Sequence, residues 1–170
     1  MLSKRWHKRK YFKFEQEACK VREYTTRPGE PQEAEEVALS YGAKDILSVI
    51  YFLRTQDYMI GRSERTQIYV SGKNLWLKVE PVGVETVKVD AGTFEALKLR
   101  LQAYFEGKPV SKTRVDLWIA QNHPQRPIVQ AEAHLKIGHL NLELTEFTPG
   151  RDERQSASAE PAAGNQVLVP

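Results

Sequence analysis

The stretch FEALKLRLQAYFEGKPVSKTRVDLWIA, residues 94–120, decides the fold. Leu97, Leu99, Leu101, Ala103 and Phe105 share one parity, and Lys98, Arg100, Gln102 and Tyr104 share the other. Val115, Leu117 and Ile119 alternate with Arg114, Asp116 and Trp118 in the same way. Side chains of a strand point alternately to its two faces, so each segment has a dry side and a wet side. Half-wet strands belong to antiparallel sheets rather than to parallel sheets covered on both faces. A loop over residues 106–110, holding Gly107 and Pro109, sets Leu101 on Val115, Leu99 on Leu117, Arg100 on Asp116 and Lys98 on Trp118. A slip of one residue would put every one of these side chains on the wrong face.

The same test works outward along the chain. A two-residue turn at Gly72-Lys73 pairs Val70 with Leu75, Ile68 with Leu77, Tyr69 with Trp76 and Arg65 with Glu80. A turn at Gly138-His139, with glycine first as a type II′ turn requires, faces Ile137 with Leu140, Leu135 with Leu142 and His134 with Glu143. Further strands are expected over residues 84–90, 10–15 and 19–24. Between them Asp45 is a natural N-cap, and Ile46, Val49, Ile50 and Leu53 follow at helical spacing, with Leu47 and Tyr51 widening the apolar stripe. So short and apolar a helix must lie on something apolar. The expectation is a mainly β chain: an antiparallel meander curling into a half-open or closed barrel, with one short helix at about 45–54 lying on the dry side. Residues 1–148 form a single β domain, with an acidic, proline-containing loop at 26–43, and residues 149–170 read as a disordered tail.

Composition narrows the function. The formal charge is +3, but Lys4, Arg5, Lys8, Arg9 and Lys10 place five cations in the first ten residues, so the rest carries −2. A basic start is not a basic surface, and nucleic acid is not an expected partner. That start, with Trp6 inside it, could touch an anionic surface, but reads better as a solvated strand edge. Cys19 is the only cysteine, which rules out an internal disulfide; with Phe14 as its expected neighbour it reads as a small buried hydrophobe. The longest apolar run, residues 49–53, is far short of the roughly 20 residues of a transmembrane helix.

No phosphate loop, nucleophile elbow or His-Glu-x-x-His pattern is present. His134 and Glu143, with His139 in the adjoining turn, read as a cross-strand pair rather than a metal or general-base site. Asp116 with Arg100 reads as an exposed ion pair worth under about 1 kcal/mol. No cofactor is expected, and the chain reads as a non-enzyme. The remaining candidate site is aromatic. Tyr69, Trp76, Tyr104 and Trp118 fall on the polar parity, interleaved with Lys78, Lys98, Arg100 and Arg114, where rings and cations together could grip a sugar, an amphiphile or a partner chain. The plainer account is local pairing, Tyr69 on Trp76 and Lys98 over Trp118.

The segment from Lys44 to Thr55, then Gly83-Val84-Glu85, Gly92-Thr93-Phe94, Asp116-Leu117-Trp118-Ile119 and Pro127-Ile128-Val129, resembles in order and spacing the bacterial domain of unknown function 3108. That family has a short helix from an Asp to Leu-Arg-Thr, a Gly-x-Phe strand start, a Trp-Leu strand end, a later Pro-Val and a glycine-centred final hairpin, which Gly138 matches. The resemblance spans roughly residues 8–148. It implies an exported envelope protein, periplasmic or outer-membrane-associated, with an antiparallel barrel-like fold and no established catalytic residues. Ala120, Gln121 and Asn122 stand where the family usually carries Ser-Asp-Asp. The family's signal peptide and first strands are also missing, which suggests a misplaced start or a truncated gene; were the start genuine, the protein would be cytoplasmic.

Two functions follow as expectations. The first is a non-enzymatic envelope protein holding a lipid or other amphiphile in its barrel, with the helix at the mouth. The alternative is an interaction module that docks a partner, or a second copy, through the aromatic face or an unpaired N-terminal sheet edge. A third, hydrolytic reading would need His134 and Glu143 together in a deep cleft.

Overall fold

The alternation over residues 94–120 forms the centre of the molecule. In a computed structural model of the 170-residue chain, the structure describes residues 9–148 except 71, 111–113 and 136–137. The elements run β1 (Arg9–Glu15), β2 (Lys20–Thr26), β3 (Glu33–Ala38), α1 (Ile46–Thr55), β4 (Glu64–Val70), β5 (Lys73–Val89), β6 (Gly92–Phe105), β7 (Lys108–Pro109), β8 (Arg114–Ala120), β9 (Ile128–Leu135) and β10 (Gly138–Glu143). Strands dominate and their ladders are antiparallel, in two sheets. One has the order β1-β2-β3; the other runs β10-β9-β8-β6-β5-β4, with β7 beside β6. Among the described residues neither sheet closes on itself, since β4 and β10 remain separate edges.

The β6–β8 register is the expected one, with Leu101 on Val115, Leu99 on Leu117, Arg100 on Asp116 and Lys98 on Trp118. The connection differs from a plain five-residue loop. Glu106 and Gly107 both have positive φ, 48° and 77°, the signature of a tight type I′ turn, and β7 then pairs back on Tyr104 and Phe105. The other two hairpins slide. Val70 pairs with Lys73 and Ile68 with Leu75, so the turn lies one residue earlier than Gly72-Lys73 and each partner shifts by two. Leu135 pairs with Gly138, Leu140 with Ala133 and Leu142 with Ala131, so the Gly138-His139 turn is also corrected, and Ile137 lies outside the described residues. Both slips are even, so inner and outer faces are unchanged.

Three further corrections concern the first half of the chain. Within the expected acidic loop, β3 pairs with β2. Its ladder needs only backbone groups, and its acids face cations, as in Glu36 with Lys20 and Arg22 at 3.1 and 3.4 Å. Cys19 is exposed at a turn with φ 50°, and Phe14 faces Val21 instead. The strand expected after the Gly72-Lys73 turn and the separate one expected over residues 84–90 are one, because β5 runs on through residues 73–89 with a bulge between Pro81 and Gly83. The basic start before Arg9 and the tail from residue 149 lie outside the described residues.

α1 begins where Asp45 accepts hydrogen bonds from the Ser48 amide at 2.8 Å and hydroxyl at 2.7 Å. Val49 and Leu53 are buried, whereas Leu47 and Tyr51 point to solvent instead of widening the buried stripe. The helix is tied at both ends. Lys44 exchanges backbone hydrogen bonds with β4 at Gln67 and Tyr69. At the other end Arg54 donates to the carbonyls of Gln125 and Arg126, while Arg126 donates back to that of Gln56. α1 thereby lies across the apolar face of the larger sheet, where Leu53, Leu77, Val79, Leu97, Leu99 and Ile119 form the main core.

Candidate functional site

The helix does not fill the face it covers. Towards its N-terminal half, Ile46, Val49 and Ile50 stand over Ile68, Val70, Leu75, Leu77, Leu101, Ala103, Val110, Val115 and Leu117, leaving a cavity of about 320 Å³. Among the described residues every one that lines it is apolar. Among the described residues no side chain there can act as acid, base, nucleophile or metal ligand, and a lining of this kind suits apolar matter. The sequence reading placed the helix at such a mouth but named none of these residues as ligand-binding. Their signal was present in the inward parity of residues 97–117.

The four aromatic candidates are dispersed. Trp76 stands opposite Tyr104, and with Arg65, Lys78 and Gly107 they border a surface hollow of about 250 Å³; Trp76 is 47% exposed. Tyr69 lies elsewhere, only 3% exposed, paired with Asn74 rather than Trp76. Its ring meets Phe12 and Phe14 edge-on and its hydroxyl donates to Glu23 Oε1 at 2.6 Å, because the smaller sheet packs over this part of the polar face. Burial first, and the bond to Glu23 second, push the Tyr69 hydroxyl well above the ordinary tyrosine range.

Trp118 is also buried, at 4% exposed. Its indole donates to Glu85, and Lys98 lies over the ring at 4.2 Å, the one of the two expected aromatic pairings that forms. A bulge explains the burial. Val82 is the extra residue between Pro81 and Gly83, and one extra residue reverses the facing of everything after it. Val87 and Val89 therefore turn to the nominally polar side and join Trp118, Ala96, Ala120 and Val129 in a second core cluster.

Asp116 is not in an exposed pair with Arg100. It is fully buried, with Arg100 Nε at 3.3 Å, Arg114 Nε at 3.5 Å and Lys98 Nζ at 3.6 Å. Three long cationic side chains close over one carboxylate, an arrangement that holds β6 and β8 in register. His134 faces His139 across β10 and Arg114 across β8, and Glu143 faces Gln130, so the pair His134–Glu143 does not form. Among the described residues no group of three His, Cys, Asp or Glu side chains is placed to hold a metal ion, and no helix is long and apolar enough to cross a membrane.

The family model described as "Protein of unknown function (DUF3108)" matches residues 3–145. The chain belongs to that family. In this DUF3108 chain Asp45 caps the helix, Arg54 ties down its end, Gly83 follows the bulge, and Gly92 takes a φ of 136° at the β5–β6 turn. Pro127 supplies the carbonyl that accepts the Ala120 amide at 2.9 Å. No curated protein and no solved structure matches the chain.

Proposed function

We propose that this DUF3108 protein is a non-enzymatic component of the bacterial cell envelope that binds a hydrophobic or amphiphilic ligand between α1 and the larger sheet, the sheet acting as the wall of a β-barrel-like container. The observation that carries the reading is the cavity of about 320 Å³, lined by apolar side chains among the described residues and inside the range of roughly 300–1,000 Å³ usual for small-molecule sites. An ordinary core would have been packed shut, because interiors reach crystal-like density. Native mass spectrometry of the protein purified from cells is expected to show lipid adducts that organic extraction removes. The delipidated protein should then enhance the fluorescence of N-phenylnaphthylamine, and Val115→Phe, which fills the cavity, should abolish the enhancement. A clean apo mass together with a silent probe would end the reading. The compartment, periplasm or outer membrane, rests on the family resemblance, and fractionation of cells carrying the intact gene tests it; an exclusively cytosolic pool would refute it.

A second reading is supported by the Trp76–Tyr104 hollow with Arg65 and Lys78 beside it: docking of a partner, or of a second copy, on this aromatic face or at the β1 edge, which is paired on one side only among the described residues. It predicts concentration-dependent association in sedimentation velocity that weakens in Trp76→Ala. Trp118 takes no part in it, being interior.

A further inference from the structure

The apolar cavity does not end at its own lining. Val70, Leu75 and Val110 also border a wider, more open hollow of about 630 Å³, whose remaining lining is Lys73, Phe105, Glu106, Lys108 and Pro109. The change in chemistry across these shared residues is abrupt. Among the described residues there is no polar side chain inward, and outward there are two lysines and one glutamate, a net charge of one positive.

Both lysines are fixed by strand pairing. Lys73 opens β5 opposite Val70, and Lys108 opens β7 opposite Phe105. Lys73 Nζ sits 5.2 Å from the centre of the Phe105 ring. Among the described residues neither ammonium has an acid within ion-pair distance, although most of the other strand lysines and arginines of the fold do. A lysine at the edge of an apolar hollow lays its methylenes along the greasy wall and holds its charge at the water boundary. The inner cavity cannot satisfy a polar head, so a ligand that enters it must leave its head among these groups.

We propose that the ligand is a single-chain amphiphile with an anionic head, its chain between α1 and the sheet and its carboxylate or phosphate held by Lys73 and Lys108. This rests on the cavity reading above and adds the charge of the head. The test is titration of the delipidated full chain, below micelle concentrations, with four probes of equal chain length: dodecanoate, dodecyl phosphate, 1-monolauroylglycerol and dodecyltrimethylammonium. At least one anion is expected to bind about tenfold more tightly than the neutral probe, and the cation more weakly than either. The tighter of the two anions identifies the head group. In Lys73→Gln/Lys108→Gln, checked for folding by circular dichroism, the preference should vanish while monolauroylglycerol binds as before. Raising the salt should shrink the preference in the wild type, because the rim is open to solvent. Equal affinities for all four probes, or a preference that survives the double substitution, would overturn the anionic head and leave the cavity reading intact. Failure of every probe to bind would overturn both.

Discussion

One helix, α1, meets one apolar sheet face in two different ways. At its C-terminal half Leu53 packs on Leu99 and Ile119, all three essentially without exposure, and Arg54 and Arg126 bolt the helix end to the loop before β9. At its N-terminal half, Ile46 and Ile50 face Ala103, Val110 and Val115 across empty space. The same alternation of leucine with charge produces both ends, so hydrophobic patterning decides which side is dry but not whether the dry side is full. Side-chain volume and helix tilt decide that.

The sharpest way to break this contrast is truncation at each end. Leu99→Ala should lower the unfolding free energy by about 2–5 kcal/mol, because it opens a new void in close packing. Ile50→Ala should cost only about 1 kcal/mol, since part of its surface already lacks neighbours. Urea titration of both variants checks the pair, and equal losses would mean that the N-terminal half is packed after all. An intermediate effect is expected from Arg54→Ala, about 1–3 kcal/mol. There the informative readout is hydrogen exchange, which should rise at the Leu53 amide and not at Ile68.

A pH-dependent effect lies where Phe12, Phe14 and Tyr69 border an open hollow with Ile46 and Leu47. The pKa of the Tyr69 hydroxyl is raised above its ordinary value near 10 by burial and by the bond to Glu23, so the folded state favours the neutral phenol. The stability linked to it is complete below about pH 10 and is lost as pH climbs through the folded-state value. Tyr69→Phe should flatten this alkaline limb in thermal melts, and at pH 7 should cost about 1–2 kcal/mol because the buried Glu23 carboxylate loses this donor. A limb that stayed equally steep would assign the loss to another group.

Legibility in the sequence varied with how much information each residue pair carried. The β6–β8 hairpin was read in its true register because Arg100 with Asp116 and Lys98 with Trp118 are complementary only in that alignment. Elsewhere Ile68 is as content against Leu75 as against Leu77, so an even slip costs the pattern nothing and the turn moved. Strand β3 was missed because an edge strand of glutamates lacks an apolar face and is held by its backbone and by cations of β2. Tyr69 and Trp118 were read as surface rings because parity within one sheet is blind to a second sheet laid over it and to a bulge further along. The rim lysines went unmarked for a related reason. Lys73 and Lys108 are ordinary surface residues in sequence, and only the back-folding of β7 brings Lys108 and Phe105 beside the hollow.

The extra residue in β5 has a consequence for inheritance. Deleting the Val82 codon would close the bulge and leave the ladder intact, because Gly83 would then follow Pro81 just as their partners Lys98 and Leu99 adjoin each other. Val87 and Val89 would keep facing Trp118. Loss of a residue anywhere else in β5 would turn every later side chain to the other face, so descent should tolerate a change of length at Val82 more readily than at its neighbours.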